Sequence, residues 1–161
     1  GHYEEVLRKI ILAFKFQDRT EYAKFLGNML HDVFATHDLS ETTDCIVPVP
    51  LHWKRRQQRG FNQSKLLTLR LKTRSVPIYQ DLVRIRNTQR QWNLTDSQRR
   101  TNVKGAFGVR RDHRFSGKTI CLVDDITTSG ATLNECAKTL KAAGAKSIIA
   151  LVLTVAESSD K

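Results

Sequence analysis

Residues 120–132 read Ile-Cys-Leu-Val-Asp-Asp-Ile-Thr-Thr-Ser-Gly-Ala-Thr: an apolar run that ends in two adjacent acids and a hydroxyl-rich turn with one glycine. An apolar run without polar alternation is a strand covered on both faces. After the turn, Leu133, Cys136, Ala137 and Leu140 recur at helical spacing and predict a helix over 131–143. A second apolar run at 147–155 predicts a last buried strand. Strand, helix and strand at this spacing form a βαβ unit, which requires a parallel sheet with helices packed on it. The chain is therefore α/β.

The rest of the chain is read around that unit. Its 161 residues suit one domain, spanning 1–161, with Gly1 and His2 taken as a cloning remnant. Helices are expected at 3–14 and 20–34, where apolar residues recur every three or four positions, with a polar loop at 35–44. Cys45, Ile46 and Val47 predict a short buried strand that Pro48 and Pro50 bring to an end. Residues 51–63 are expected as a loop leading into a helix at 64–71, for which Asn62 is the N-cap. Residues 76–85 are expected to be extended, 87–102 a mobile loop without period, 106–109 a strand and 118–123 the buried strand before the acids.

Charge is placed unevenly. Between His52 and Arg114 there are 17 Lys or Arg against three acids, while the rest of the chain has 10 basic and 13 acidic residues, so all of the chain's net positive charge belongs to the middle. A field of one sign favours a polyanionic partner. No apolar run reaches the ~18 residues of a membrane span, so no membrane insertion is expected. Cys45, Cys121 and Cys136 have neither disulfide-framework nor zinc-knuckle spacing and read as small buried hydrophobes in a reducing compartment, the cytoplasm.

The turn after the acids lies at a helix N-terminus. There the free backbone N–H groups and the helix dipole favour phosphate, the Thr and Ser hydroxyls add donors, and Gly130 allows close backbone approach. Ionised Asp124 and Asp125 beside it accept hydrogen bonds from vicinal hydroxyls, and phosphate with a diol is a ribose 5-phosphate. A plain strand-to-helix turn needs one capping side chain, and this run offers several. Gly117-Lys118-Thr119 resembles the end of a nucleoside-triphosphate loop, but the glycine required five residues earlier is Asp112 and a strand follows. The glycine fingerprint of dinucleotide binding is absent.

This run resembles the phosphoribosyl pyrophosphate (PRPP) motif of type I phosphoribosyltransferases. The resemblance implies that fold: a central, mainly parallel sheet flanked by helices, with a flexible hood loop. Asp124 and Asp125 would hold the ribose 2′- and 3′-hydroxyls, and Thr127, Thr128, Ser129, Gly130, Ala131 and Thr132 would cradle the 5-phosphate. Pro48-Val49-Pro50-Leu51-His52, the basic segment after it, Arg59-Gly60-Phe61-Asn62-Gln63, and then Thr88-Gln89, Asn102-Val103 and Gly105-Ala106-Phe107 narrow the likeness to the competence protein F (ComF) family. By the same resemblance Lys54, Arg55, Arg56 and Arg59 sit where type I enzymes bind pyrophosphate. Mg²⁺ would arrive with PRPP and contact Asp124 and Asp125. Residues 87–102 correspond to the hood, from which Arg90, Arg99 and Arg100 could reach the pyrophosphate on closure. The family's cysteine-rich zinc segment has no counterpart here, and no zinc is assigned.

Two readings follow. One is a phosphoribosyltransferase with an unidentified acceptor and no assigned catalytic residue; His52, a candidate acid or base, reads better as structural. The other is a non-catalytic module of the competence machinery, implied by the resemblance to act in DNA uptake, that binds PRPP, single-stranded DNA or both. Trp53, Phe61 and Trp92, interleaved with cations, have the composition of a single-strand stacking groove.

Overall fold

The computed structural model describes residues 2–17, 19–73, 75–89 and 94–156, with backbone alone for 2–4 and 16. Three parallel strands form the sheet in the order β1 (Cys45–Pro48), β4 (Thr119–Thr127), β5 (Ser147–Val155). Ile78 adds a parallel bridge to Ile46 on the far side of β1. In β4, Ile120, Cys121, Leu122 and Val123 are fully buried, as expected of a strand covered on both faces.

Side chains alternate across a strand, and β4 accordingly feeds two cores. Ile120 and Leu122 join Cys45, Val47, and Cys136 and Leu140 of α7 (Ala131–Ala142). Cys121 and Val123 join Ile46, Leu151 and three helices: α1 (His2–Phe16) through Ile11 and Phe14, α2 (Ala23–Thr36) through Leu26, Leu30 and Phe34, and α5 (Gln63–Thr68) through Leu67. A small antiparallel pair, β2 (Leu82–Arg84) with β3 (Phe107–Val109), extends the first core through Leu82 and Phe107, and α6 (Asp96–Val103) adds Val103. The three cysteines are free and buried; burial pushes the Cys45 thiol up to about 11 and the Cys121 thiol up to about 12. No helix among the described residues is long and apolar enough to cross a membrane.

The structure corrects four sequence expectations. The basic segment expected as loop forms a helix, α4 (Trp53–Arg59), which has no buried residue and is held by its ends instead: His52 accepts from the Lys54 N–H at 3.4 Å, and Gly60, at φ 79°, returns its N–H to the Arg56 carbonyl at 2.7 Å. From Asp96 on, the stretch expected as part of a mobile loop is helical as α6, started by a capping box in which Thr95 and Gln98 exchange bonds. A short helix, α3 (Leu39–Thr42), interrupts the expected 35–44 loop. Finally, β4 runs on to Thr127, because β5 keeps pairing with it as far as Val155.

Leu122, at the centre of the middle strand, has no exposed surface. Leu122→Ala should lower unfolding free energy by about 2–5 kcal/mol in a urea titration; a loss under about 1 kcal/mol would mean that the two cores do not meet at this strand as described.

Candidate functional site

A cavity of about 600 Å³ opens at the carboxyl ends of the strands, between the end of β4, the start of α7, α4, α5 and the last turn of α1. Open α/β sheets place ligands at this end. Its floor is the run singled out in the sequence: Asp124, Asp125, Thr127, Thr128, Ser129, Gly130, Ala131 and Thr132 all line it.

The turn at 128–130 carries unused donors. Among the described residues, the N–H groups of Thr128, Ser129 and Gly130 meet no protein acceptor. Gly130 takes φ 70°, a left-handed conformation that a side chain would strain, and from it α7 runs away from the cavity. Consecutive free N–H groups at the positive end of a twelve-residue helix have the chemistry that suits an anion such as phosphate.

The two acids are held from different directions. Asp124 Oδ1 accepts from Ser64 Oγ at 2.8 Å and from the Asp125 N–H at 3.0 Å. Asp125 Oδ1 accepts from the Ile126 N–H at 2.7 Å and from Lys15 Nζ at 3.4 Å. Among the described residues each Oδ2 lacks a protein donor, so each carboxylate keeps an oxygen for a ligand. Burial, then the adjacent Asp125 carboxylate, raise the Asp124 carboxyl above the usual carboxylate range; Lys15 and the hydrogen bonds oppose this without cancelling it.

The basic residues divide. Arg55 and Arg59, four apart on α4, line the cavity, and Lys54 and Arg56 do not; Lys54 instead sits 5.5 Å over the ring of Trp53. In the hood, Arg99 lines the cavity while ion-paired to Asp96 at 3.2 Å, and Arg100 is exposed elsewhere. Arg90 and Trp92 lie outside the described residues. His52 is buried as the cap of α4, and burial followed by Arg84, Lys54 and Arg55 lowers its pKa, which suits a neutral ring whose Nδ1 accepts from the backbone.

Sequence reasoning missed three contributors. Leu12 and Lys15 arrive from α1, and Arg84 from the end of β2. None belongs to a local motif, because each reaches the cavity only through tertiary packing. The Asn62-Gln63-Ser64 run acts as a brace: Asn62 accepts from the Ser64 N–H and donates to the Val49 carbonyl at 3.0 Å, Gln63 donates to the Lys15 carbonyl at 3.4 Å, and Ser64 holds Asp124.

A carboxyl with a raised native pKa carries no stability penalty at acid pH. The penalty builds as pH climbs from the ordinary carboxylate range through the raised value, and is complete above it. Asp124→Asn keeps an acceptor for both donors and removes the charge. It should raise the thermal midpoint by about 2–5 °C at pH 8 and by much less at pH 5; equal shifts at the two pH values would show that the charge is not the cause.

Residues 58–161 match the family model described as the phosphoribosyl transferase domain. Over 155 residues the chain is 36% identical to competence protein F of Haemophilus influenzae, covering 92% of this chain and 67% of that protein. It is 34% identical over 154 residues to the DNA utilization protein YhgH of Escherichia coli O157:H7, covering 91% and 66%. The chain thus spans about two thirds of the length of these curated relatives. Among solved structures, the glutamine PRPP amidotransferase from B. subtilis superposes with a TM-score of 0.52 at 18% identity, over 83% of this chain and 26% of that one, a likeness of fold. With the phosphoribosyl transferase model on well over half its residues and competence protein F alongside nearly all of it, the chain belongs to the ComF family and has the type I phosphoribosyltransferase fold.

Proposed function

We propose that this chain binds PRPP together with Mg²⁺ and transfers the phosphoribosyl group to an acceptor that its sequence does not specify, in the cytoplasm and in the service of DNA uptake during natural transformation. The observation that carries the reading is the content of one cavity: a phosphate cradle with three free N–H groups, two carboxylates with open oxygens, and the cations Arg55, Arg59, Arg84 and Arg99. The names of the relatives, a competence protein and a DNA utilization protein, supply the biological setting. Free, buried thiols suit a reducing compartment.

Transfer breaks the bond between ribose C1 and the diphosphate oxygen and makes one from the acceptor to C1 on the opposite side. Charge then grows on the departing diphosphate and on an oxocarbenium-like sugar. Arginine forks along the cavity wall match phosphate oxygens in pairs, and fixed cations in a partly enclosed site stabilise that charge without reorganising. The cradle at 128–130 would fix the 5-phosphate, and Asp124 and Asp125 would orient the ring by its hydroxyls. Among the described residues no cluster of three or more metal-ligating side chains occurs. Two carboxylates with free oxygens do fit Mg²⁺, which keeps waters and takes one or two carboxylates plus substrate phosphates. When bound, Mg²⁺ would neutralise the leaving group.

A second reading keeps the pocket without turnover: a module that binds PRPP, single-stranded DNA or both, working with other proteins of the competence machinery. Its support is Trp53, 61% exposed on a basic helix at the cavity's edge, with Lys54 over its ring. An exposed ring flanked by cations is what stacks on a base.

Calorimetric titration of PRPP with Mg²⁺ should give saturable binding to the wild type, weakened at least about tenfold in Asp124→Asn/Asp125→Asn. A folded wild type that binds no PRPP would overturn the reading. Repeated from low to high salt, binding of an oligo-dT should fall steeply and that of PRPP less, because DNA is held by counterion release over several phosphates.

A further inference from the structure

Lys15 reaches the site from 110 positions away in the sequence, and the fold ties it down at both ends. Ile11 and Phe14, both buried, sink α1 into the second core, which fixes the face on which Leu12 and Lys15 line the cavity. Gln63, itself buried, donates its amide to the Lys15 carbonyl at 3.4 Å. At the other end the Lys15 ammonium lies 3.4 Å from Asp125 Oδ1 and 3.4 Å from the Ile126 carbonyl. The backbone is thus held from α5 and the side chain from β4.

That contact governs the Asp125 carboxylate. Its neighbour supplies the Ile126 N–H to Oδ1 at 2.7 Å, a local bond that by itself holds one point of a planar group. A second, charged donor arriving on the same oxygen from another element restricts the plane and so settles where Oδ2 is presented. With side chains 27% and 11% exposed, Lys15 and Asp125 form a partly screened pair, whose value lies in geometry more than in stability. The same charge acts on Asp124, opposing the rise that burial and Asp125 impose on it.

The two halves of a sugar phosphate ask for different things. Phosphate takes donors, which the N–H groups at 128–130 supply. Adjacent hydroxyls give hydrogen bonds and require acceptors at a set spacing. A carboxylate displaced by ~0.5 Å loses that match, while a phosphate held at the turn is indifferent to it.

We propose that Lys15 is a positioning residue: by fixing the Asp125 carboxylate it makes the acid pair selective for a ligand with two adjacent hydroxyls, and so makes α1 the helix that sets sugar recognition. This rests on the PRPP reading and extends it to a helix outside the residues matched by the family model.

The test titrates ribose 5-phosphate and inorganic phosphate separately into the full chain. Lys15→Met should weaken ribose 5-phosphate about five- to tenfold and leave inorganic phosphate within about twofold. Lys15→Arg keeps a charged donor and should stay within about threefold of the wild type for both probes. In an Asp125→Asn background, where ribose 5-phosphate is already weakened, adding Lys15→Met should cost no more than about a further twofold, because the lysine acts through that carboxylate. Equal loss of both probes would make Lys15 a general attractor of phosphate or a support of the fold, and a full further loss in the Asp125→Asn background would make it a direct contact. Either result overturns the positioning role, as does unchanged ribose 5-phosphate affinity in Lys15→Met. If the wild type binds neither probe, or gains nothing from the ribose, the PRPP reading itself falls.

Discussion

The site exists because β1 stops before β4 does. Pro48 is the last paired residue of β1, opposite Val123, and the Val49 N–H makes one more bond to the Val123 carbonyl before the chain turns away through Pro50. On the other side, β5 keeps pairing to Thr127. The stretch from Asp124 to Thr127 is therefore anchored as strand along one edge and left open along the other. A proline has no N–H to give a neighbouring strand, so this pair of prolines ends the ladder at the place where the acids begin. Rigid backbone on one side and a crevice on the other is what a binding group needs in order to be precise and reachable at once.

That opening has an energetic consequence for the acids. Two adjacent carboxylates withdrawn from water repel each other, and among the described residues the hydrogen-bond donors to Asp124 are the Ser64 hydroxyl and the Asp125 N–H. The fold tolerates this through the Asn62-Gln63-Ser64 brace, whose three side chains reach the proline loop, the end of α1 and the acid itself. Stability given up at a site and supported from around it is a common mark of binding sites. The N-terminal helix, outside the region matched by the family model, is thereby made part of the site through Lys15.

What the sequence disclosed follows from how locally each feature is encoded. The strand, turn and helix around residues 120–132 are contiguous, and Asn62 is a cap read from its own neighbours; both are legible. The acids look like the end of a strand because charges are seldom buried, yet pairing with β5 continues past them. Without apolar periodicity, α4 reads as loop, and so the helical phase that separates Arg55 and Arg59 from Lys54 and Arg56 goes unseen. For α6 the signal was present as Thr95 and Gln98, three residues apart, but only Val103 of that helix is buried, leaving no stripe to notice. Lys15 and Arg84 could not be found locally, since one is 110 positions from its partner and the other is known by its surroundings.

In the hood, Asn102 both donates its side-chain amide to the Gln89 carbonyl at 3.0 Å and accepts from the Gln89 N–H at 3.2 Å, while Glu135 of α7 accepts from the Gly105 N–H at 2.7 Å. One amide thus closes the base of the excursion like a clasp, and a carboxylate rivets that base to the domain. The two ends of the segment are thereby tied to each other and to α7. Lengthening it costs little, about 0.6 kcal/mol for each doubling of a flexible loop, so its sequence can drift and be remodelled over evolutionary time without loosening the strands beneath. A fold arranged in this way can change what it admits while leaving untouched how it stands.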